Sequence, residues 1–206
     1  MPSAALLAHA TDAAPVSPPE KREAILAAAL RVIARLGLTN APMSAVAKEA
    51  GVAAGTLYLY FPSKEAMLNA LYVDLLGDRR RAMTPHEGRE APLEIREGLW
   101  EIWHGLARWH LDHPEKSSVL HQCQASGVLT DASREMHQRM DVEDFARFDD
   151  AVVRGLLRPL SRPVCWSLMV GPILVLARLR DEGEIAVTAD ELRATFEGVC
   201  RSILPD

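Results

Sequence analysis

The chain has 206 residues, of which 49% are apolar and 25% are charged. This length leaves room for one or two domains with an ample buried core, and the apolar fraction excludes a chain that is disordered throughout. The net charge is −5, but it is unevenly distributed. Residues 20–84 contain nine basic and six acidic side chains, a balance of +3, whereas the other residues carry −8. A basic surface is therefore expected only in the N-terminal part of the chain.

The composition also indicates the class of fold and the compartment. Strand-like alternation is scarce and Ala, Leu, Arg and Glu are abundant, which predicts an all-α protein. Three widely spaced cysteines, Cys123, Cys165 and Cys200, suit reduced thiols better than a disulfide framework. The first residues lack the basic segment of a secretory signal, and no apolar run approaches the length of about 18 residues that indicates a membrane span. We therefore expect a cytoplasmic protein.

The N-terminal residues predict an arm followed by a helix. Residues 1–19 are rich in Ala and Pro and are interpreted as a flexible arm, which lacks the arginines that such arms place in a minor groove. A helix is expected to begin at Pro19, because apolar residues then recur at helical spacing. Gly37 is expected to end this helix, since glycine adopts positive φ without steric cost.

The stretch from Met43 to Lys64 holds two short helical patterns separated by a glycine. Val46 and Ala47 place apolar groups on one face of the first helix, and Gly51 allows a sharp turn after it. Leu57, on a second helix from about Ala53 or Ala54 to Tyr60, can fill the angle between the two. A close crossing, a sharp turn and a buried plug are three requirements of a helix-turn-helix motif.

The second helix of this motif carries hydroxyl groups. Thr56, Tyr58 and Tyr60 are expected to reach phosphates or base edges in a major groove of DNA. Leu57 and Phe61 are assigned to the core, whereas Leu59 is a candidate for contact with the methyl group of a base. The alternative is that Tyr58 or Tyr60 merely packs between helices.

Three segments of this region resemble the N-terminal pattern of the TetR family of bacterial transcriptional regulators. They are AILAAALRVIARLG (Ala24 to Gly37), AVAKEAGV (Ala45 to Val52) and GTLYLYFPSKEAML (Gly55 to Leu68). The resemblance covers roughly residues 20–76 and is specific, because several separate landmarks occur in the family's order. It implies a homodimeric repressor. A three-helix helix-turn-helix DNA-binding domain is expected to be followed by a larger helical ligand-binding and dimerisation domain, with about nine helices.

The chain departs from the family pattern at two places. Pro42 stands where the family usually has Thr or Ser, which caps the next helix and touches a phosphate; proline preserves the helix start but cannot make that contact. Ala53 and Ala54 stand where the family commonly has Ser followed by a polar or basic residue. Two side-chain contacts are therefore missing, although Ala54 can still pack against a thymine methyl group.

The remaining polar groups define the predicted DNA-binding site, whose partner is expected to be a pseudo-palindromic operator in double-stranded DNA. Gly55 permits close approach of the backbone to DNA, Lys64 is expected to bind a phosphate, and Ser44 can reach the DNA backbone or a base. The full predicted set is Ser44, Ala54, Gly55, Thr56, Tyr58, Tyr60 and Lys64.

A fourth helix is expected to join this domain to the rest of the chain. Ser63 is its predicted N-cap, and its apolar residues continue towards roughly Arg81. In the family this helix connects the DNA-binding domain to the ligand-binding domain, and the loop that follows predicts a boundary near residue 84. We therefore divide the chain into an arm (1–19), a DNA-binding domain with its connecting helix (20–84) and a ligand-binding and dimerisation domain (85–206).

The second domain is predicted to contain a central helix and four others. A broad apolar face between Pro92 and His113 predicts a helix that is buried on more than one side. The other helices are predicted at residues 115–124, 131 to about 160, 163–180 and 190–204. In the family the last two usually form a four-helix bundle with their mates in a dimer. The residues assigned to this interface are Leu168, Met169, Pro172, Ile173, Leu176, Leu192, Phe196, Val199 and Ile203.

Aromatic, Met and His side chains in the second domain predict a ligand cavity, because they form adaptable apolar walls with a few polar groups. Each of them is also consistent with plain core packing. A cationic aromatic compound, an acyl chain or a neutral aromatic compound would fit such walls. The predicted pocket residues are Trp100, Trp103, His104, His121, Cys123, Met136, His137 and Met140.

The sequence contains no pattern that indicates a cofactor, a metal or catalysis. The spacing of His104, His110 and His113 matches no zinc pattern, and no Gly-rich phosphate loop, nucleophile elbow or HExxH motif is present. The preferred interpretation is a repressor that a small-molecule effector releases from its operator. The alternatives are a DNA-binding activator or regulator without a ligand, a redox-sensing regulator, and an all-α enzyme with a coincidental helix-turn-helix.

Overall fold

The computed structural model of the protein describes residues 18–83 and 94–205. These residues form nine α-helices and no strand, which confirms the predicted all-α fold. Most of the predicted N-terminal arm and the predicted boundary near residue 84 lie outside the described residues. The helices are α1 (Pro18–Leu36), α2 (Met43–Glu49), α3 (Ala54–Tyr60), α4 (Lys64–Met83), α5 (Ile95–Asp112), α6 (Pro114–Ala125), α7 (Asp131–Val153), α8 (Arg162–Asp181) and α9 (Ala189–Ile203).

The helix bounds agree with the predicted ones within a few residues, except at the end of α7. This helix ends at Val153, whereas the sequence predicted that it continues to about Leu160. Gly155 adopts a φ of 70°, in the left-handed region that favours glycine, so the helix cannot continue through it. At the other end Thr130 caps the helix by accepting a hydrogen bond from the Ser133 N–H.

The first three helices form the predicted helix-turn-helix domain. Gly37 and Gly51 follow α1 and the end of α2 with φ of 79° and 66°, and both therefore stop a helix as expected. The Val52 N–H donates to the Ala47 carbonyl oxygen at 3.0 Å and closes the turn before α3. Val46, on α2, and Leu57, on α3, are both completely buried in the core that these helices share with α1.

The core of this domain extends beyond α4. It contains buried residues of α1 to α4, but Val119, Leu120 and Cys123 of α6 belong to the same cluster. Helix α6 packs on both α1 and α4, although it lies far beyond the predicted boundary near residue 84. The DNA-binding domain therefore rests directly on a helix of the second domain.

Side-chain hydrogen bonds reinforce this contact. Gln122 on α6 accepts from the Leu38 N–H, just after α1, at 2.9 Å. Asn69 on α4 donates to the Val128 carbonyl at 3.0 Å and accepts from the Thr130 N–H at 2.8 Å, so its buried amide is satisfied by the loop before α7. Each bond joins the helix-turn-helix side of the chain to the second domain.

An ion pair adds a third connection. Asp78 on α4 accepts hydrogen bonds from Lys116 Nζ on α6 at 2.7 Å and from Trp109 Nε1 on α5 at 3.0 Å. Burial alone would raise the pKa of the Asp78 carboxyl, but these hydrogen bonds and the Lys116 charge outweigh it and lower the pKa. The carboxylate is therefore held in its charged form where α4, α5 and α6 meet.

The second core is formed mainly by α5, α8 and α9. Trp103 of α5 and Phe196 of α9 are completely buried within it, and the Trp103 indole donates to the Met169 carbonyl oxygen on α8 at 2.8 Å. Helix α5 packs against α4, α6, α8 and α9, which confirms that it is the central helix predicted from its broad apolar face.

Helix α8 is unusually apolar for its position. Among the described residues it is the one helix whose length and composition would allow it to cross a membrane, a test that core helices of folded domains also pass. Cys165 and Ile173 pack in the second core. Only 28% of its most apolar stretch is buried in a single subunit, so much of α8 remains at the surface.

The crossing of α4 and α5 depends on a glycine. A Cβ atom on Gly105 would lie 1.9 Å from the carbonyl oxygen of Ala82, which is a backbone atom and cannot rotate away. Any larger residue at this position must therefore separate the two helices. Because α4 carries the helix-turn-helix at its other end, this crossing also helps to set where that motif lies.

A buried histidine lies near the same junction. His110 on α5 shares a hydrogen bond between Nδ1 and Ser117 Oγ on α6 at 2.8 Å, and its Nε2 is buried without a hydrogen-bond partner. Burial, with smaller contributions from the charges of His121 and Arg79, lowers the pKa of His110 to about 3. The imidazole is therefore neutral in the folded protein at physiological pH.

The change Gly105→Ala is expected to lower the free energy of unfolding by about 1–3 kcal/mol, because the added methyl group overpacks the α4–α5 crossing. Urea unfolding at a fixed protein concentration measures this. Gly77→Ala is the matched control: it also lies mid-helix, but its nearest neighbour is a flexible arginine side chain at 3.6 Å. The control should gain about 0.5–1 kcal/mol from helix propensity. Equal stability of the two variants would contradict the tight crossing.

The stability of the protein is expected to fall in mild acid because of His110. Its folded pKa lies below the value of about 6.5 in the unfolded chain, so between these values the unfolded state binds more protons and folding weakens as pH falls. From pH 6.5 to 5 the loss should be about 1.6 kcal/mol, because the limiting slope of about 1.4 kcal/mol per pH unit is reached only when the unfolded imidazole is fully protonated.

His110→Asn should remove this part of the pH dependence, because asparagine does not titrate and can still bond to Ser117. The measurement is urea unfolding at several pH values between 5 and 7. His113→Asn, at an exposed position one residue beyond α5, serves as the control and should keep the wild-type slope. A His110→Asn variant with an unchanged slope would show that His110 is not the responsible group.

Candidate nucleic-acid interface

One side of α3 faces solvent. Ala54, Gly55, Tyr58 and Leu59 are exposed, and their spacing places them on a single face of the helix. Leu57 lies on the opposite face and is completely buried. Tyr58 is 51% exposed and Leu59 is 85% exposed, so the two largest side chains of this face project from the domain.

The three predicted hydroxyl-bearing residues differ in their surroundings. Tyr58 is exposed, whereas Thr56 and Tyr60 are half-buried outside the outward face. Tyr60 packs against the first core, so the alternative of packing between helices applies in part to Tyr60 and not to Tyr58. Leu57 and Phe61 are buried, which confirms their assignment to the core.

The ends of the neighbouring helices contribute polar groups. Lys64 Nζ donates to the Thr39 carbonyl oxygen at 2.9 Å and ties the start of α4 to the loop before α2. An ammonium group has three donors, so this bond leaves capacity for a phosphate. Ser44 is exposed in the first turn of α2, and Pro42 occupies the N-cap without a side-chain cap bond, as its departure from the family pattern predicts.

The cations of the domain divide into paired and exposed groups. Arg31 and Arg35 on α1 bind Glu49 on α2 at 2.8 and 3.5 Å, and the hydrogen bond from Arg31 is the main cause of the lowered pKa of Glu49. These arginines hold the two helices together. Lys48 in the last turn of α2 is exposed, and the predicted site omitted it. The sequence could have indicated Lys48 as a candidate phosphate contact, because its charge lies beside the turn of the motif.

The predicted pocket residues lie in separate parts of the second domain. Trp100, Trp103 and His104 form one aromatic cluster with Phe196, in which the Trp100 and His104 rings stack with centroids 4.8 Å apart. The guanidinium of Arg193 lies 3.8 Å from the Trp100 ring centroid on α5. Burial is the main cause of the lowered pKa of His104, followed by the charges of Arg108 and Arg193.

The other five predicted pocket residues belong to α6 and α7. Cys123 is completely buried in the first core, and Met140 packs against that core. His137 shares a 2.8 Å hydrogen bond with the Tyr72 hydroxyl on α4, while Met136 and His121 are half-buried. Two open grooves in the described part of the chain, of about 500 and 330 Å³, are lined by none of the eight residues.

The residues predicted for a dimer interface differ in how far they are buried within the chain itself. Six of the nine side chains are buried within the chain itself and leave little surface for a partner. They are Met169, Ile173, Leu192, Phe196, Val199 and Ile203. Leu168, Pro172 and Leu176 are half-buried. The exposed apolar surface of α8 also includes Val164 and Val175, at 46% and 49% exposure, which the prediction omitted.

The three cysteines are buried and free. Burial raises the pKa of the Cys123 and Cys165 thiols to about 11, and it also raises the pKa of Cys200. A thiol without thiolate character or solvent access is a poor redox sensor. Within the residues that the structure describes, no group of three His, Cys, Asp or Glu side chains is placed to hold a metal ion.

Comparisons with known proteins agree with this geometry. Residues 25–71 match the family described as bacterial regulatory proteins, tetR family. The HTH-type transcriptional regulator YvdT of Bacillus subtilis is 50% identical over 56 residues, which are 27% of this chain and 29% of that protein. The matches to the first curated relatives all span less than a third of the relatives' own length.

The fold as a whole is shared with solved structures. A TetR family transcription regulator from Marinobacter aquaeolei VT8 superposes with a TM-score of 0.81 at 24% identity, covering 90% of this chain and 96% of that one. A TetR family protein from Vibrio parahaemolyticus gives a TM-score of 0.71 at 27% identity, with 90% and 99% coverage. Residues 25–71 therefore match the helix-turn-helix region of the tetR family of bacterial regulatory proteins, and the whole chain shares the all-α fold of solved TetR family regulators.

Proposed function

We propose that this protein is a homodimeric repressor that binds a pseudo-palindromic operator and is released from it by a small-molecule effector. The observation that carries the proposal is the outward face of α3, where Tyr58 and Leu59 project beside a motif with a local excess of basic residues. A helix presented in this way fits the major groove of B-DNA, which admits one α-helix.

The proposed contacts divide into those that position the protein and those that read bases. Lys64, Ser44 and Lys48 supply charge or hydroxyl groups for phosphates at the ends of the flanking helices. The Tyr58 hydroxyl donates to a phosphate or a base edge. Gly55 and Ala54 allow the start of α3 to approach the bases, and Thr56 and Tyr60 contact the DNA through the accessible part of their half-buried side chains.

The proposed dimer forms through α8 and α9. Helix α8 keeps a large apolar surface in the single subunit, and exposed apolar patches of this kind mark interfaces between proteins. Val164, Leu168, Pro172, Val175 and Leu176 are its exposed or half-buried apolar residues. Two-fold pairing would place two α3 helices in successive major grooves about 34–36 Å apart.

The proposed effector binds in the second domain. The aromatic cluster of Trp100, Trp103 and His104 offers stacking surfaces, and the residues predicted on α6 and α7 border the helices that support the DNA-binding domain. A ligand that shifts α6 would displace the groups bonded to Gln122 and Asp78. Effector and operator then favour different conformers, so each weakens binding of the other.

The other candidate functions have less support. An activator or a regulator without a ligand would use the same α3 surface and differs only in its effect on transcription. Redox sensing conflicts with the burial and raised pKa of the three cysteines. Catalysis has no supporting constellation of residues in the described part of the chain.

The first test is footprinting on the DNA upstream of the gene that encodes this chain, where we expect protection of an inverted repeat. On that site Tyr58→Phe should weaken binding about tenfold or more, since a hydrogen bond to a charged phosphate is worth about 1.5–3 kcal/mol. Lys64→Ala should weaken binding and reduce the dependence of log K on log salt by about one phosphate contact. Fluorescence anisotropy at several salt concentrations measures both effects.

Arg139→Ala is the control for these variants, because Arg139 is an exposed cation on α7, outside the helix-turn-helix and the proposed α8–α9 interface. It should change neither the affinity nor the salt dependence. If Tyr58→Phe and Lys64→Ala bind the operator as tightly as the wild type, α3 is not the DNA-binding surface. If no inverted repeat is protected, the proposed function itself is wrong.

The dimer is tested by placing a charge on α8. Val175→Asp should convert the protein to a monomer and abolish tight operator binding, because an aspartate in an apolar interface loses its hydration without a partner. Val153→Asp is the matched control, since Val153 is 86% exposed at the end of α7 and outside the proposed interface. Sedimentation velocity gives the oligomeric state; a dimeric Val175→Asp variant would exclude this part of α8 from the interface.

A further inference from the structure

The outward face of α3 lacks the side chains that usually read bases by hydrogen bonding. Specific recognition of guanine mostly uses Arg or Lys, and recognition of adenine mostly uses Asn or Gln. Helix α3 has the sequence AGTLYLY, which contains none of these residues and no acidic residue. Among its exposed residues the hydroxyl of Tyr58 is the one polar side-chain group.

The same face is apolar to an unusual degree. Leu59 is 85% exposed, and Ala54 and the preceding Ala53 are also exposed. A single exposed apolar side chain is common in folded proteins, but adjacent ones on one face form an apolar patch of the kind that marks a binding surface. Six large apolar side chains are exposed in the described parts of the chain, and two of them, Tyr58 and Leu59, are adjacent on this seven-residue helix.

The flanking charges indicate what covers this face. Lys48 lies in the last turn of the helix before α3, whose final residue Glu49 is paired with Arg31 and Arg35. Lys64 begins the helix after α3, whereas α3 itself is uncharged. An apolar strip between cations complements a major groove, where phosphates line both edges and the floor carries one apolar group on its base pairs, the thymine C5-methyl. A protein partner of ordinary composition offers no comparable match.

From this arrangement we infer that the protein recognises its operator through thymine methyl groups, with Leu59 as the main specificity-determining residue and Ala54 as the second. The inference rests on the proposed function and adds the chemistry by which bases are read. Tyr58 and Lys64 hold the helix in register on the phosphates. Leu59 and Ala54 then distinguish a thymine, which supplies a methyl group at the contacted position, from bases that lack one.

The test replaces single thymines of the footprinted operator with deoxyuridine, which removes only the methyl group. For the wild type, at least one position in each half-site should lose about fourfold in affinity, the effect of one buried methyl group. Leu59→Ala should bind the thymine operator more weakly and show no difference between thymine and uracil at that position. Because Leu59 is exposed, this variant should keep the wild-type circular dichroism spectrum and melting temperature.

Lys64→Ala provides the matched comparison. It should weaken binding to both operators and retain the fourfold difference, because a phosphate contact carries no information on the base. Its salt dependence should be reduced, whereas that of Leu59→Ala should equal the wild-type value.

Two results would overturn the inference while leaving the proposed function intact. One is equal affinity of the wild type for thymine and uracil at every position of the half-site. The other is a Leu59→Ala variant that keeps the full thymine preference. If the wild type protects no operator at all, the proposed function is wrong. This outcome differs from the two above, because no binding would be measured on the thymine operator or on the deoxyuridine operator.

Discussion

The burial of Leu57 determines which face of α3 meets solvent. The helix has only seven residues and no side-chain cap, so it is too short to be stable alone and takes its orientation from packing. Complete burial of one leucine contributes about 2 kcal/mol, and the turn at Gly51 fixes the direction from which the helix leaves α2. With Leu57 inside, Tyr58 and Leu59 must lie outside.

The orientation of the whole DNA-binding domain depends in turn on its contact with α6. One hydrophobic core includes α1 to α4 and α6, so the boundary that the sequence suggests near residue 84 does not divide the packing. Gln122 and Asp78 make hydrogen bonds across this contact, and Asn69 bonds to the loop that follows α6. Close-packed contacts tend to have discrete alternative arrangements rather than continuous ones, and the proposed effector would favour one of these arrangements over another.

Much of the DNA-binding domain could be predicted because its signals are local. The glycines that end α1 and α2, the cap of α4 at Ser63 and the burial of Leu57 each depend on residues a few positions apart. The bonds of Asn69 and Gln122 could not be predicted, since their partners lie 59 and 84 residues away in the chain. The solvent exposure of Thr56, Tyr58 and Tyr60 also differs from one side chain to the next, because it depends on how α3 packs against α2.

For a related reason, the sequence could not show which face of α8 and α9 remains available to a partner. Both helices carry apolar residues on more than one face, and periodicity alone does not say which face the subunit's own core takes. In the structure, α5 packs against the faces of α8 and α9 that carry Ile173 and Phe196. Val164 and Val175 on α8 therefore remain exposed. Only a three-dimensional arrangement could decide between these faces.

The exposed face of α8 and the weak charge of the DNA-binding domain lead to the same requirement. A domain with a balance of +3 can neutralise few phosphates, so a single copy would bind DNA weakly at physiological salt. Two linked copies convert the second binding event into an intramolecular one, which raises affinity without new contacts. In the proposed dimer, burial of α8 provides this linkage. The distance between the two α3 helices would then depend on the α8 interface and on the α4–α6 contact within each subunit. A change in the geometry of either contact would alter how well the two helices fit the DNA.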